Sequence, residues 1–359
     1  MGNENNSESV NNASRPLVDV RSLKKHFVTT RGLTRRVVGT VKAVDGISFT
    51  INEGETLALV GESGCGKTTT GRCLIRAVDP SGGNILYSFQ NGQEETDQID
   101  ITKLNKPDLR KFRRNVRLIF QDPYASLNSR MTVYQIVSEP LIINKIIRSE
   151  SERRERVSEL FRMVGLNPAL MDRYPHAFSG GQRQRIAIAR ALAPGPRFVI
   201  ADEPVSALDV SVQAQVLKLF KQLQRELTGL TYLFVAHDLS VVKYQSDYVA
   251  IMYVGKIVEY AETEELFVKP LHPYTEALIS AAPLPDPKAA RNKARIVLGG
   301  DVANPAAPPS GCYFHPRCPY AKEICRTTEP PLVNAAEPGK PKHTVACHFA
   351  EELSLSGIQ

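Results

Sequence analysis

No stretch of this chain is long and apolar enough to cross a bilayer, which takes roughly 20 consecutive apolar residues. The nearest candidate, Leu141-Ile142-Ile143-Asn144-Lys145-Ile146-Ile147, is too short and carries a lysine. Met1 to Arg15 does not read as a secretory leader either, being rich in Asn and Ser with no apolar centre. Residues 1–16 are therefore expected to form a disordered tail, not a signal peptide or anchor. On that reading the six cysteines are expected to sit in a reducing cytosol, where structural disulfides are rare. Charge is not gathered either. The net +7 from 45 basic and 38 acidic residues would suit nucleic acid or an anionic surface, but the basic residues are scattered and form no stripe, so no nucleic-acid partner is expected. No internal repeat occurs.

What is present is ordinary for a globular protein, with 42% hydrophobic and 23% charged residues. A length of 359 residues allows one large α/β domain and an appendage, because single cores stop growing near roughly 250–300 residues. Short apolar runs at Leu57–Val60, Val116–Phe120, Phe198–Ala201, Tyr232–Ala236 and Tyr248–Met252 read as buried parallel strands, with ligand chemistry at their carboxyl ends. Val212, Val216, Leu219, Leu223 and Leu227 recur at helical spacing and predict one amphipathic crossover helix. From Val133 to Leu192 the periodicity is helical and strand runs are absent. The main domain is thus expected over 17–262 with an all-helical insert at about 124–192. Half of the 24 prolines fall between Pro283 and Pro341, so 263–359 is expected to be a small loop-rich appendage.

Gly61-Glu62-Ser63-Gly64-Cys65-Gly66-Lys67-Thr68 fits G-x4-G-K-[ST] between a strand and a helical stretch. Its glycines let backbone N–H groups turn toward phosphates, Lys67 reaches the β and γ oxygens, and the Thr68 hydroxyl can ligate Mg²⁺. Cys65 suits simple packing in that loop. Asp202 ends an apolar strand, where a carboxylate can join Thr68 at the metal, and Glu203 follows it, placed to orient or deprotonate a water. The plain alternative for Asp202-Glu203-Pro204 is a strand ending at a turn. His237 ends another strand, within reach of a γ-phosphate, although a lone histidine there is more often a surface residue. Gln121 ends a further strand ahead of the helical insert, where it can touch Mg²⁺ or the water.

Phe178-Ser179-Gly180-Gly181-Gln182 lies between the phosphate loop and the acidic strand end. Taken in order with Gln121, Asp202-Glu203, Ser206-Ala207-Leu208-Asp209 and His237, it resembles the signature of the ATP-binding cassette (ABC) family over roughly Leu17 to Tyr260. Phe178 stands where leucine is commoner, which keeps an apolar anchor. The resemblance implies a P-loop NTPase core using ATP and Mg²⁺, the metal held through Thr68, Gln121 and Asp202. It also implies ATP-binding residues Gly61 to Thr69, including Thr69, and a catalytic set of Glu203, His237 and Gln121. It further implies a head-to-tail dimer in which Phe178 to Gln182 act on the partner's nucleotide and Asp209 lies at the interface. Phe27 best matches the aromatic that stacks on adenine in the family, with a core phenylalanine as the alternative.

Arg173-Tyr174-Pro175-His176, Gln182-Arg183-Gln184-Arg185, Val210-Ser211-Val212-Gln213-Ala214-Gln215 and Leu271-His272-Pro273-Tyr274-Thr275 look like the oligopeptide and dipeptide importer branch, closer to its F-type than its D-type subunit. That branch implies a second ATPase subunit, two integral-membrane permeases and an extracytoplasmic substrate-binding protein. It places this chain peripherally on the cytoplasmic face, with Tyr124 to Asn128 toward a permease. Cys312, Cys318, Cys325 and Cys347 follow as C-x5-C-x6-C-x21-C, which is not a zinc ribbon. Spacing leaves iron–sulfur, zinc, and free or disulfide-bonded thiols open; related importers resemble this tail and can carry a [4Fe-4S] cluster there. An importer of another solute, such as nickel or a sugar, is the near alternative. A soluble ABC ATPase of repair or translation is the distant one, since the chain has one cassette and no sustained heptads.

Overall fold

The computed structural model describes residues 16–31, 36–89, 98–282, 296–336 and 341–358. The expected tail lies outside the described residues except for Pro16, as does the start of the proline-rich stretch at 283–295.

Two sheets carry the fold. In chain order the strands are β1 (Val18–Arg31), β2 (Arg36–Ile51), β3 (Thr56–Val60), β4 (Gly82–Tyr87), β5 (Ile99–Asp100), β6 (Val116–Ile119), β7 (Phe198–Asp202), β8 (Thr231–Ala236), β9 (Tyr248–Tyr253), β10 (Lys256–Glu262), β11 (Val333–Asn334) and β12 (Thr344–Val345). The main sheet runs β11-β12-β10-β9-β3-β8-β7-β6. Its centre is parallel, with β3 between β8 and β9 and β7 between β8 and β6. Parallel strands are covered on both faces, so they read as unbroken apolar runs; every residue of β3 and β8 is buried. Side chains alternate across that sheet. Ala58 and Val60 join the core shared with the helices, whereas Leu57 and Leu59 join the core beneath the second sheet. That second sheet, ordered β2-β1-β4-β5, is antiparallel.

The helices follow the strands that feed them: α1 (Lys67–Leu74) after β3 and α2 (Lys106–Phe112) before β6. Between β6 and β7 lie α3 (Pro123–Ser126), α4 (Val133–Ile143), α5 (Glu150–Met163) and α6 (Gly180–Leu192). A capping box starts α4, with Thr132 Oγ1 accepting from Gln135 N and Gln135 Oε1 accepting from Thr132 N. The buried faces of α4 and α5 meet α6 through Val137, Leu141, Leu160, Phe161 and Ile186. The crossover helix is α7 (Val210–Glu226), burying Val216, Leu219, Phe220 and Leu223; α8 (Leu239–Gln245) links β8 to β9.

The second sheet is absent from the sequence reading, and the appendage is less separate than that reading has it. After β10 come α9 (Thr263–Val268), α10 (Pro273–Ala281) and α11 (Glu323–Thr327). Strand β12 then pairs with β10 and extends the main sheet. Phe314 is fully buried in the main core, edge-on to Tyr253 of β9 at 5.3 Å. A proline-rich segment too short for a core of its own shares the core it abuts. Among the described residues, no helix is long and apolar enough to cross a membrane.

Candidate active site

The phosphate loop leaves the carboxyl end of β3 and enters α1 through Gly66, whose backbone is left-handed at φ 108°. Only glycine fits there: a Cβ on Gly66 would sit 2.0 Å from the carbonyl oxygen of Ala43 in β2. The Cys65 carbonyl accepts from Gly255 N at 2.9 Å. The loop is thus wedged against β2 and the β9–β10 turn. Ser63 and Gly64 form its exposed tip, while Cys65 and Lys67 are buried and Thr68 and Thr69 are half-buried. Burial pushes the Cys65 thiol up, against the opposing pull of Lys67, so Cys65 is a packed thiol and not a nucleophile. The Lys67 ammonium donates to the carbonyls of Gly61 at 2.7 Å and Glu62 at 3.1 Å.

Thr68 Oγ1 donates to Asp202 Oδ1 at 3.0 Å, joining the first turn of α1 to the end of β7. Asp202 is 4% exposed. Burial raises its carboxyl pKa, the nearby Glu203 charge adds to this, and the Thr68 hydrogen bond opposes it. A buried carboxylate and a hydroxyl side by side are hard oxygen donors that fit Mg²⁺. Gln121 is turned elsewhere: its Nε2 donates to Glu203 Oε2 at 2.8 Å. His237 Nδ1 lies 3.5 Å from that same oxygen. The three residues read from sequence as catalytic thus meet at one carboxylate, carried by the ends of β6, β7 and β8. Glu203 itself has φ 45°, a backbone that non-glycine residues seldom adopt. Its N–H is held by the Val235 carbonyl, and its own carbonyl accepts from Ser206 Oγ.

Phe178 is buried and Ser179 exposed. Ser179 caps α6 in a second capping box: Gln182 N donates to its Oγ at 3.4 Å, and its N–H donates to Gln182 Oε1 at 3.0 Å. Gly180 opens the helix, and Gly181 packs so closely on α7 that a Cβ would meet Val212 Cγ1 at 2.4 Å. Helix α6 packs against β6, and β8 and β7 lie between β6 and β3. Ordinary strand spacing therefore sets β6, against which α6 packs, about 14 Å across the sheet from the strand that feeds the phosphate loop. Asp209 is exposed at the start of α7, its side chain making no cap hydrogen bond, beside Val210 at 82% exposure. Phe27, on β1 opposite Val41, is 42% exposed with the Lys25 ammonium 4.8 Å above its ring. Tyr124 is exposed and stacked under the Arg183 guanidinium at 4.2 Å.

Two contacts to the loop escape the sequence reading. Glu62 N donates to Tyr274 Oη at 2.9 Å, and the Glu62 carboxylate accepts both terminal nitrogens of Arg317, at 2.7 and 3.1 Å. Tyr274 lies in a motif already singled out, but a lone arginine between two cysteines has no periodicity to announce its target.

Cys312, Cys318, Cys325 and Cys347 line one cavity of about 20 Å³ together with His315 and His348. All four are free thiols. Burial pushes Cys312 to about 11 and Cys318 to about 12, and raises Cys347. The donor set suits a metal centre, but the cavity has room for little more than one water. Among the described residues, no three His, Cys, Asp or Glu side chains gather to hold a metal ion. The geometry therefore does not support the expected iron–sulfur or zinc centre.

A glycine loop after a central parallel strand, a Thr–Asp pair linking it to the end of β7 and a second carboxylate directly after that Asp define a phosphate-loop NTPase. Residues 44–206 match the family described as "ABC transporter", and residues 258–325 match "Oligopeptide/dipeptide transporter, C-terminal region". The chain is 51% identical to the oligopeptide transport ATP-binding protein AppF of Bacillus subtilis (strain 168), over 93% of this chain and 97% of that one. To OppF of the same organism it is 56% identical over 78% and 86%. Among solved structures it resembles the ATP-binding cassette MJ0796 bound to ADP and Pi, with a TM-score of 0.58 at 28% identity over 68% of this chain and 98% of that one. It also resembles cbiO1 from Clostridium perfringens, with a TM-score of 0.57 at 29% identity over 71% and 91%. The chain belongs to the ABC transporter ATPases, as an ATP-binding subunit of the oligopeptide/dipeptide importer family.

Proposed function

We propose that this chain couples ATP binding and hydrolysis to uptake of di- or oligopeptides, as the F-type member of a pair of ATPase subunits under two integral-membrane permeases. The observation that carries the hydrolytic part is the convergence of Gln121 and His237 on the Glu203 carboxylate, next to the Thr68–Asp202 pair. In this reading Glu203 orients a water and takes its proton as the oxygen attacks the γ-phosphorus and ADP leaves. Gln121 and His237 fix the carboxylate and contact the γ-phosphate. Mg²⁺, held by Thr68 and Asp202, would neutralise charge on the β and γ oxygens. Lys67 and the loop from Gly61 to Thr69 bind the phosphates, and Phe27 offers an exposed face to the adenine. The exposed cap of Ser179, with Gly181 behind it and Asp209 nearby, serves a partner's nucleotide in a head-to-tail dimer.

The match of the C-terminal region and the names of the relatives support peptides over nickel or sugars. Peripheral attachment at the cytoplasmic face, and a substrate-binding protein feeding the permeases, follow from the same reading. Pull-down from a detergent extract tests it: two permeases and a second ATPase should accompany the chain, and the reconstituted assembly should take up labelled peptides. Uptake of nickel or a sugar without peptide would reassign the solute, and Lys67→Ala should abolish uptake whichever solute it is.

A second reading for the appendage is a metal centre, iron–sulfur ahead of zinc, and it rests on the chemistry of four thiolate donors and not on their geometry. Iron, sulfide and zinc analysis of anaerobically purified protein decides it; metal-free protein with four titratable thiols sinks it.

A further inference from the structure

Every polar group of Glu62, the second residue of the phosphate loop, is held by a different part of the molecule. Its carbonyl accepts from Lys67 Nζ at 3.1 Å within the loop. Its N–H donates to Tyr274 Oη at 2.9 Å, from α10, and its carboxylate takes the two-nitrogen fork of Arg317 at 2.7 and 3.1 Å. The Arg317 side chain is 8% exposed and that of Glu62 28%, so the pair is partly shielded from solvent, and its two-nitrogen geometry fixes its direction.

The position of Arg317 is set by the cysteine-bearing loop. It ends the single 3-10 turn His315–Arg317. In that turn His315 N donates to the Cys312 carbonyl and Cys318 N donates to the His315 carbonyl. Phe314, in the same loop, packs its ring 5.4 Å from that of Tyr274 and 5.3 Å from that of Tyr253. Tyr253 and Tyr274 meet at 4.8 Å. The three rings form one rigid block, buried without exception, and that block carries both groups that reach Glu62.

We propose that the cysteine-bearing appendage is a working part of the nucleotide site, with Arg317 and Tyr274 as positioning residues that hold Glu62 and so set the shape of the phosphate loop. This rests on the reading of that loop as the ATP site. Loop amides must point inward together to bind phosphate, and a loop freed at Glu62 spends less time in that arrangement. The loss therefore falls on phosphate affinity.

Dissociation constants of the full-length chain for MgATP and AMP, measured alongside the melting temperature without nucleotide, test the proposal. Arg317→Ala and Glu62→Gln should each weaken MgATP five- to twentyfold while changing AMP less than twofold. Arg317→Lys should recover part of the loss, and the double variant should be no weaker than the worse single one, since both break one link. Equal losses for ATP and AMP, additive losses, or Arg317→Ala within twofold of the parent would overturn it. If Arg317→Ala does not fold, Glu62→Gln and Arg317→Lys give the same readout. Failure of the parent chain to bind MgATP, or undiminished binding by Lys67→Ala, would instead remove the underlying site reading and the proposal with it.

Discussion

Glu203 keeps a left-handed backbone because neighbours on two sides hold its peptide groups, and the same turn aims its carboxylate at Gln121 and His237. Such conformations cost about 1–3 kcal/mol and persist where surrounding structure over-determines them. The side chain is replaceable without disturbing that backbone. Glu203→Gln is expected to retain ATP binding while steady-state phosphate release falls at least about a hundredfold, the scale of a lost general base. Gln121→Ala and His237→Ala should lower turnover less, because each removes one contact to the carboxylate and leaves the carboxylate in place. Normal turnover by Glu203→Gln would contradict the assigned role.

At the scale of elements, α6 and α7 touch through Gly181 and Val212. Gly181→Ala forces a Cβ to within 2.4 Å of Val212 Cγ1 and is expected to cost about 1–3 kcal/mol by overpacking, measured by denaturant unfolding; adding Val212→Ala should restore most of it. If stability returns and ATPase activity of the dimer does not, the signature glycine has a part beyond packing. Helix α10 supplies a pH test. His272 caps it, Nδ1 accepting from Tyr274 N at 3.0 Å, and burial lowers its pKa from 6.5 to about 3. A protonated ring could not accept that bond. Below about pH 6.5 the unfolded chain takes up a proton that the folded chain refuses, so this group removes about 1.4 kcal/mol of stability per pH unit as pH falls toward 3. His272→Asn, which keeps a cap acceptor, should lose less stability than the parent between pH 6.5 and 5 in thermal melts.

The same scale shows what was legible in the residues. The parallel strands and α7 announce themselves because burial on both faces writes apolar runs and burial on one face writes a 3.6-residue period. The phosphate loop and Ser179–Gln182 are local motifs whose backbone geometry demands particular residues. The antiparallel sheet was missed: β1 mixes Val18, Val20 and Leu23 with charged residues and shifts register repeatedly along β2, which breaks strict alternation. Strands β11 and β12 are two residues each and owe their existence to the edge of β10. Arg317 was illegible for a related reason, since its partner lies 255 residues away.

For the whole molecule, the appendage completes the core it adjoins. Phe314→Ala opens a cavity between Tyr253 and Tyr274 and is expected to cost about 3–5 kcal/mol. A chain ended after Ala282 loses β12 from the edge of β10 as well, and should melt lower still or be recovered insoluble. Soluble yield and melting temperature of the two variants against the full chain check both statements. A truncated chain as stable as its parent would mean that the cassette closes on its own.

The placement of β3 between β8 and β9 also bears on birth at the ribosome. The turn that leads into β3 bonds Thr231 through Gly54 N, 177 residues further on. At synthesis rates of roughly 5–20 residues per second, the strand that carries the phosphate loop waits roughly 10 to 35 s for its neighbour. Parallel pairing across such a span is slow to form and exposes apolar strands meanwhile. The nascent cassette is thus expected to need chaperone protection over about half of its translation, and slowing elongation ahead of residue 231 should lengthen that exposure and lower the folded yield.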